Sequence, residues 1–213
     1  MNKLDLKKFK KVGVFGGSFD PVTKAHITIA ELVFNQYNLD HVLFLPNFQN
    51  PLKEKTHTKP EVRVKLLELA LTSKENFSIC KIEIDANKAC YTYDTIQQLK
   101  NLLAENAEIY FIHGSDCLDN LSSWYRIDEL LASVNFVIVG RSADFNEQLL
   151  KTKLKNFKSS QIERLLKYAM FIKPILVSSS DVRKRIENNE AYEEFLDPLV
   201  LKFIQASHLY GIS

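Results

Sequence analysis

Residues 12–26 read Val12-Gly13-Val14-Phe15-Gly16-Gly17-Ser18-Phe19-Asp20-Pro21-Val22-Thr23-Lys24-Ala25-His26. The run 12–15 is short and apolar, as in a buried strand, and two adjacent glycines follow it before helical periodicity begins near His26. Adjacent glycines let a backbone turn tightly and approach an anion, while the N-terminus of the next helix offers unpaired N–H groups and a partial positive charge. The stretch therefore predicts a strand, a phosphate-binding loop and a helix, in that order. It is neither G-x-x-x-x-G-K-[ST] nor G-x-G-x-x-G, which excludes a Walker loop and a dinucleotide fingerprint. On the glycine pair alone, a plain tight turn is an equally good reading.

Outward from this stretch, strand-like runs at 12–15, 41–45, 77–84, 108–113, 136–140 and 171–177 alternate with helical periodicity. The helical stretches are 26–37, 61–73, 92–105, 127–132 and 162–168, and residues 180–188 and 198–207 read as two closing helices. The alternation predicts an α/β protein with a doubly wound parallel sheet and helices on both faces. One domain over residues 1–213 is expected, with a core at about 11–190 and C-terminal helices over about 191–213. Such a sheet binds ligands at the carboxyl ends of its strands, where strand order reverses. The segment 142–158 contains the lysine-rich run KTKLKNFK and reads as a solvated surface connection.

Hydrophobic residues at 46% and charged residues at 25% exclude a disordered or fibrous chain. A net charge of +2 provides no field that would favour a nucleic-acid polymer as partner, so any anion site has to be local. Three cysteines with no C-x-x-C pair suggest neither a disulfide framework nor a zinc site and fit a reducing compartment. No run approaches the roughly 18 apolar residues of a membrane span, and the basic N-terminus has no signal-peptide core. A cytoplasmic location without membrane attachment is expected. A homo-oligomer is compatible with this composition, which leaves oligomeric state open.

The run GGSFDPVTKAH at 16–26 resembles the G-G-[ST]-F-D-P-x-H-x-G-H signature of adenylyltransferases in the nucleotidyltransferase superfamily. Thr23 stands in place of the first histidine, similar to the T-x-G-H variant of pantetheine-phosphate adenylyltransferases. Ala25 replaces glycine and adds a methyl group at a close approach. Val177-Ser178-Ser179-Ser180-Asp181-Val182-Arg183 resembles the I-S-S-T-x-I-R motif of the same group, with Ser180 for threonine. Serines that leave a strand and cap a helix present hydroxyls and N–H groups to an anion, and Arg183 can fork onto phosphate oxygens.

Tyr91-Thr92-Tyr93-Asp94-Thr95 is similar to the S-Y-T-x-D-T stretch of nicotinate-nucleotide adenylyltransferases, with Cys90 for the serine. Gly114-Ser115-Asp116, followed by Leu121, Trp124, Tyr125 and Glu129-Leu130-Leu131, is similar to their G-x-D and L-x-x-W-x-x-x-x-E-L-L run. Pro46 to Lys53 resembles their P-x-x-x-P-x-H-K loop, with Leu52 for the histidine. Arg63 and Arg141 match less cleanly, and each reads equally as a solvated charge. His41, His57 and His208 match nothing and read as structural or surface residues.

The resemblance implies a Rossmann-like nucleotidyltransferase fold and transfer of the adenylyl group of ATP to nicotinate mononucleotide, with Mg2+ accompanying ATP. It assigns catalysis to His26, Thr23 and Arg183, and ATP binding to Gly16, Gly17, Ser18, Phe19, His26, Gly114, Asp116, Ser178, Ser179 and Arg183. Lys53, Thr92, Trp124, Tyr125 and Arg141 are assigned to the mononucleotide, and no residue is assigned to a metal. Nicotinamide mononucleotide and phosphopantetheine stay open as acceptors. A non-catalytic nucleotide-binding protein also stays open, although retention of His26, Lys53 and Arg183 speaks against it.

Overall fold

The computed structural model describes residues 5–49, 57–140, 142, 144–173, 175 and 177–212. Its strands are β1 (Lys11–Gly17), β2 (His41–Pro46), β3 (Phe77–Ile79), β4 (Glu108–Gly114), β5 (Asn135–Gly140) and β6 (Met170–Phe171). They form one all-parallel sheet in the order β3-β2-β1-β4-β5-β6. The helices are α1 (Lys24–Tyr37), α2 (Pro60–Ala70), α3 (Ile82–Asp85), α4 (Thr92–Lys100), α5 (Ile127–Ser133), α6 (Glu147–Lys153), α7 (Ser159–Lys167), α8 (Ser179–Glu187) and α9 (Pro198–Ala206). Among the described residues no helix is long and apolar enough to cross a membrane.

Successive side chains of a strand point to opposite faces, and the central strands bury both. Tyr110, Ile112, Val137 and Val139 pack with α1, α2, α8 and α9 on one side. Val12, Val14, Ile109, Phe111, Phe136 and Ile138 pack with α4 to α7 on the other. The sheet is thus doubly wound, as the alternation of elements predicts. The last helix is part of the first layer: Val200 and Ile204 of α9 are fully buried in the same cluster as Leu66 and Leu67 of α2.

Two predicted strands are shorter than expected. The run 77–84 is extended only to Ile79, after which Cys80 donates its N–H to Phe44 O at 2.8 Å and the chain turns into α3. The next ladder bond would need an N–H from residue 46, which is proline, so the pairing stops there. Among the described residues of the run 171–177 only Phe171 pairs, together with Met170 just ahead of it, opposite Gly140 and Val139 at the end of β5. Nor is 142–158 merely a solvated connection. It contains α6, and Phe145, Leu150 and Leu154 are buried in the second layer while Lys151, Lys153, Lys155 and Lys158 stay exposed. His41 is structural as expected, 3% exposed, stacked on Phe9 and 2.8 Å from Ser78 Oγ.

Phe145 lies directly over Gly140, so that a Cβ built there would overlap its ring. Gly140→Ala should therefore destabilise the fold by about 1 to 3 kcal/mol, the range for overpacking. Urea unfolding with an unchanged midpoint would contradict this placement.

Candidate active site

A cavity of about 380 Å³ opens at the carboxyl edge of the sheet, where the chain runs outward from β1 to one side and from β4 to the other. This is the topological switch point at which doubly wound sheets bind ligands, and the volume suits small-molecule sites. Its lining comes from the ends of β1 and β4, the starts of α1, α4 and α8, and the segment around Trp124.

Gly16 and Gly17 end β1, and neither has a positive φ; the left-handed residue of the loop is Phe19, at φ 52°. What the glycines contribute is the missing Cβ. One built on Gly17 would lie 3.1 Å from the Phe19 ring, and one on Gly16 3.0 Å from Phe111. Phe19 folds back over the loop and packs among Phe15, His26 and Phe44. The turn therefore differs from the expected glycine turn, although both glycines line the cavity.

Thr23 caps α1, and its N–H donates to Nδ1 of His26 at 3.0 Å, with the Thr23 hydroxyl 2.8 Å from the same nitrogen. A backbone N–H can only donate, so Nδ1 is an acceptor and the neutral ring carries its proton on Nε2. His26 lines the cavity in this donor form. Thr23 is 2% exposed and is not among the lining residues, so it orients His26 rather than meeting a ligand. Ala25 is likewise buried in the core, away from the cavity lining.

Asp20 is 3% exposed and gathers distant parts of the chain. Its carboxylate accepts from the Thr58 hydroxyl at 2.7 Å, from the N–H groups of His57 and Thr58 at 2.7 and 3.3 Å, and from the Tyr210 hydroxyl at 2.7 Å. Its backbone carbonyl accepts from Nη1 of Arg183 at 2.6 Å. Arg63, at 0% exposure, is no solvated charge. It donates to the carbonyls of Ser18, Asn47 and Phe48 at 2.6 to 2.9 Å and ties the β1 loop to the loop after β2. Burial draws its pKa down, and the nearby Asp20 charge opposes this.

The two phosphate-type motifs meet at the start of α8. Ser178 caps the helix, accepting the Asp181 N–H at 3.2 Å while its own N–H and hydroxyl reach Asp181 Oδ2 at 2.8 and 2.6 Å. The Ser178 hydroxyl, ahead of its backbone N–H, holds the Asp181 carboxyl below its usual range. Ser179 donates its hydroxyl to Pro21 O at 2.8 Å, and Arg183 reaches Asp20 O, so α8 is fastened to the β1 loop.

Across the cavity, α4 begins at Thr92 with no side-chain cap, leaving its first N–H groups at the cavity wall. Trp124 stands edge-on to His113 and Phe136, at 5.5 and 6.0 Å, and Tyr125 packs on Tyr91 at 4.7 Å. Gly114 and Asp116 complete this wall from the end of β4. Every site residue assigned from sequence therefore lines one cavity except Thr23, which sits behind His26, and Lys53 and Arg141, which lie outside the described residues, as does Leu52.

Three groups at or behind the site, the buried Asp20 and Glu83 and the half-buried Tyr210, escape the sequence assignment. Asp20 belongs to the quoted signature, but nothing in its spacing announces a hub. Glu83 lies in a run whose alternation reads as strand. Tyr210 sits in a 3-10 turn (Leu209–Gly211) beyond the last helix, 190 positions from the Asp20 carboxylate it meets. Burial, and then that carboxylate, raise its phenol pKa. Tyr210→Phe should lower stability by about 1 to 3 kcal/mol, the value of a hydrogen bond to a charged group. Equal urea midpoints for variant and parent would remove Tyr210 from this role.

The sequence pattern of the cytidylyltransferase-like family matches residues 14–185. The chain is 35% identical over 202 residues to a protein of Clostridium botulinum (strain Eklund 17B / Type B) described as "probable nicotinate-nucleotide adenylyltransferase", covering 94% of this chain and 98% of the relative. A protein of Carboxydothermus hydrogenoformans with the same description is 36% identical over 202 residues, again covering 94% of this chain and 98% of the relative. Among solved structures, Plasmodium falciparum nicotinic acid mononucleotide adenylyltransferase complexed with NaAD shares the fold. Its TM-score is 0.73 at 21% identity, over 96% of this chain and 98% of that one. The chain belongs to the cytidylyltransferase-like family and, within it, to the nicotinate-nucleotide adenylyltransferases, a group of nucleotidyltransferases.

Proposed function

We propose that the protein transfers the adenylyl group of ATP to nicotinate mononucleotide, giving nicotinate adenine dinucleotide and pyrophosphate as a step of NAD biosynthesis. The observation that carries this reading is the junction of the α1 and α8 starts, where Ser179 and Arg183 bond to the carbonyls of Pro21 and Asp20 beside His26. Two helix N-termini converging on one cavity make a site for a polyphosphate.

An oxygen of the acceptor 5′-phosphate attacks the α-phosphorus of ATP, the bond to the oxygen shared with the β-phosphorus breaks, and pyrophosphate leaves. Such a reaction needs alignment and charge stabilisation rather than a covalent nucleophile. His26 donates from Nε2 to an α-phosphate oxygen, on which charge grows in the transition state, with Gly17 and Ser18 supplying backbone beside it. Ser178, Ser179 and Arg183 hold the β- and γ-phosphates. Arg183 uses one N–H each on Asp20 and Ser180, and a guanidinium has five. Gly114 and Asp116 meet the adenosine, with Asp116 accepting from ribose hydroxyls. Thr92 and the open start of α4 receive the pyridine carboxylate, and Trp124 and Tyr125 flank the ring. Lys53 and Arg141 remain assigned to phosphate by resemblance.

Among the described residues no three His, Cys, Asp or Glu side chains cluster as a metal site. The hydroxyls, N–H groups and single imidazole at the phosphate end fit a magnesium ion carried by ATP itself, held by phosphate oxygens and water. When bound, magnesium neutralises phosphate charge.

His26→Ala should lower kcat by on the order of 10²- to 10³-fold, the loss for one preorganised donor at a developing charge. Thr23→Val keeps the N–H that sets the ring and should cost less than about tenfold. Turnover of His26→Ala within a few-fold of the parent would remove His26 from the α-phosphate. For the function itself, pyrophosphate release from Mg-ATP is compared with nicotinate mononucleotide, nicotinamide mononucleotide and phosphopantetheine offered separately. Release predominantly with the first is expected. Release with another would reassign the acceptor, and ATP binding without release would make this a nucleotide-binding protein.

A further inference from the structure

The acceptor side of the cavity contains a carboxyl group for which the reaction above has no use. Glu83 projects from α3, is 5% exposed, and lines the cavity beside Cys90, Tyr91 and Thr92. Its Oε1 accepts from the Thr95 hydroxyl at 2.8 Å, and Thr95 is itself fully buried. Among the described residues no donor reaches Oε2 and no cation pairs with the carboxyl. The titratable and charged groups facing it are Arg63 from α2, Cys80 just past β3 and Cys90 ahead of α4. Arg63 is the one cation among these, and its terminal nitrogens donate to Ser18, Asn47 and Phe48 instead.

A carboxyl group in this setting has two forms with opposite preferences. Ionised, it only accepts hydrogen bonds and repels a second carboxylate. Protonated, it still accepts the Thr95 hydroxyl on Oε1 and has an O–H to donate from Oε2. A carboxylate on the acceptor ring needs a donor, whereas a carboxamide brings N–H groups of its own that an ionised Glu83 would welcome. Thr92 and Thr95 are three positions apart on α4 and so share a helix face. An anion received at Thr92 is therefore one helical turn from the Thr95 and Glu83 pair.

We propose that Glu83 determines acceptor specificity: with Thr95 bonded to Oε1, it donates a proton from Oε2 in a hydrogen bond to the ring carboxylate, and so selects a carboxylate over a carboxamide. This rests on the nicotinate reading of the preceding subsection. Burial pushes the Glu83 carboxyl up to about 7, while the Thr95 hydroxyl and Arg63 pull it back down. Both forms are thus populated near neutral pH, and a bound carboxylate draws the group toward the protonated one. Selectivity for nicotinate is present below that point and is lost as pH rises through it.

The test is the ratio of kcat/KM for nicotinate mononucleotide to that for nicotinamide mononucleotide, measured by pyrophosphate release from about pH 5.5 to about pH 9. The two acceptors share the 5′-phosphate and ATP, so titrations common to both cancel. In the parent the ratio should fall above about pH 7, approaching tenfold per pH unit. Glu83→Gln keeps the length and an N–H donor without the charge, and its ratio should stay flat. Thr95→Val removes a donor to the carboxylate and should move the fall to higher pH, which keeps the test alive should Glu83→Gln fail to fold. A flat ratio in the parent, or an unchanged fall in Glu83→Gln, overturns the proposal and leaves the nicotinate reading standing. No turnover of nicotinate mononucleotide at any pH overturns that reading, and this proposal with it.

Discussion

The Asp20 carboxylate has almost no contact with solvent, and a charge so buried is tolerable only when donors surround it. Those donors come from the segment before α2 and from the chain's C-terminal turn, while the carbonyl of the same residue receives Arg183 from α8. Pieces of chain from residues 57 to 210 are thereby held against one loop. The cavity's rim exists in its present form because these contacts agree on where Asp20 sits. Arg63 adds a second tie below it, fastening the same loop to the end of β2. Replacing Asp20 with an apolar residue of similar size would strand several buried donors at once, a larger penalty than the loss of any one bond.

With the loop fixed in this way, the chemistry asks little of individual side chains. ATP is already activated, and the acceptor phosphate is already a nucleophile at neutral pH. What remains is to place the α-phosphate next to a donor and the departing charge next to helix N-termini. The Thr23 N–H presets the tautomer of His26, so no proton has to be rearranged before the ring can donate. Thr23 in place of a second histidine is thus compatible with catalysis, because its role lies behind His26 rather than at the phosphate.

The doubly wound sheet was legible from the alternation of short apolar strands with helical runs, since burial on both faces demands that pattern. The site's floor was legible from GGSFDP and SSSDVR, because both motifs carry the glycine, hydroxyl and helix-start pattern that suits an anion, and both line the cavity. Local pattern reading missed what depends on neighbours distant in sequence. The stop of β3 is set by Pro46 on the adjacent strand, not by residues 80–84 themselves. The buried state of Arg63, the hub at Asp20 and the latch at Tyr210 arise from tertiary contacts that no spacing encodes. Residues 142–158 looked solvated because the run KTKLKNFK that ends them has four lysines against two apolar residues, yet Phe145, Leu150 and Leu154 suffice to anchor them.

We propose that one cavity at the switch point holds ATP along the α1 and α8 starts and the acceptor along α4, with Asp20 fixing their relation. The most direct measurement is an experimental structure of the complex with nicotinate mononucleotide and a non-hydrolysable ATP analogue. The complex should show an α-phosphate oxygen within hydrogen-bond distance of His26 Nε2, the terminal phosphates at the start of α8, the pyridine ring beside Trp124, and the Asp20 contacts unchanged. A triphosphate bound away from α8, or a loop around Asp20 rebuilt on binding, would contradict it.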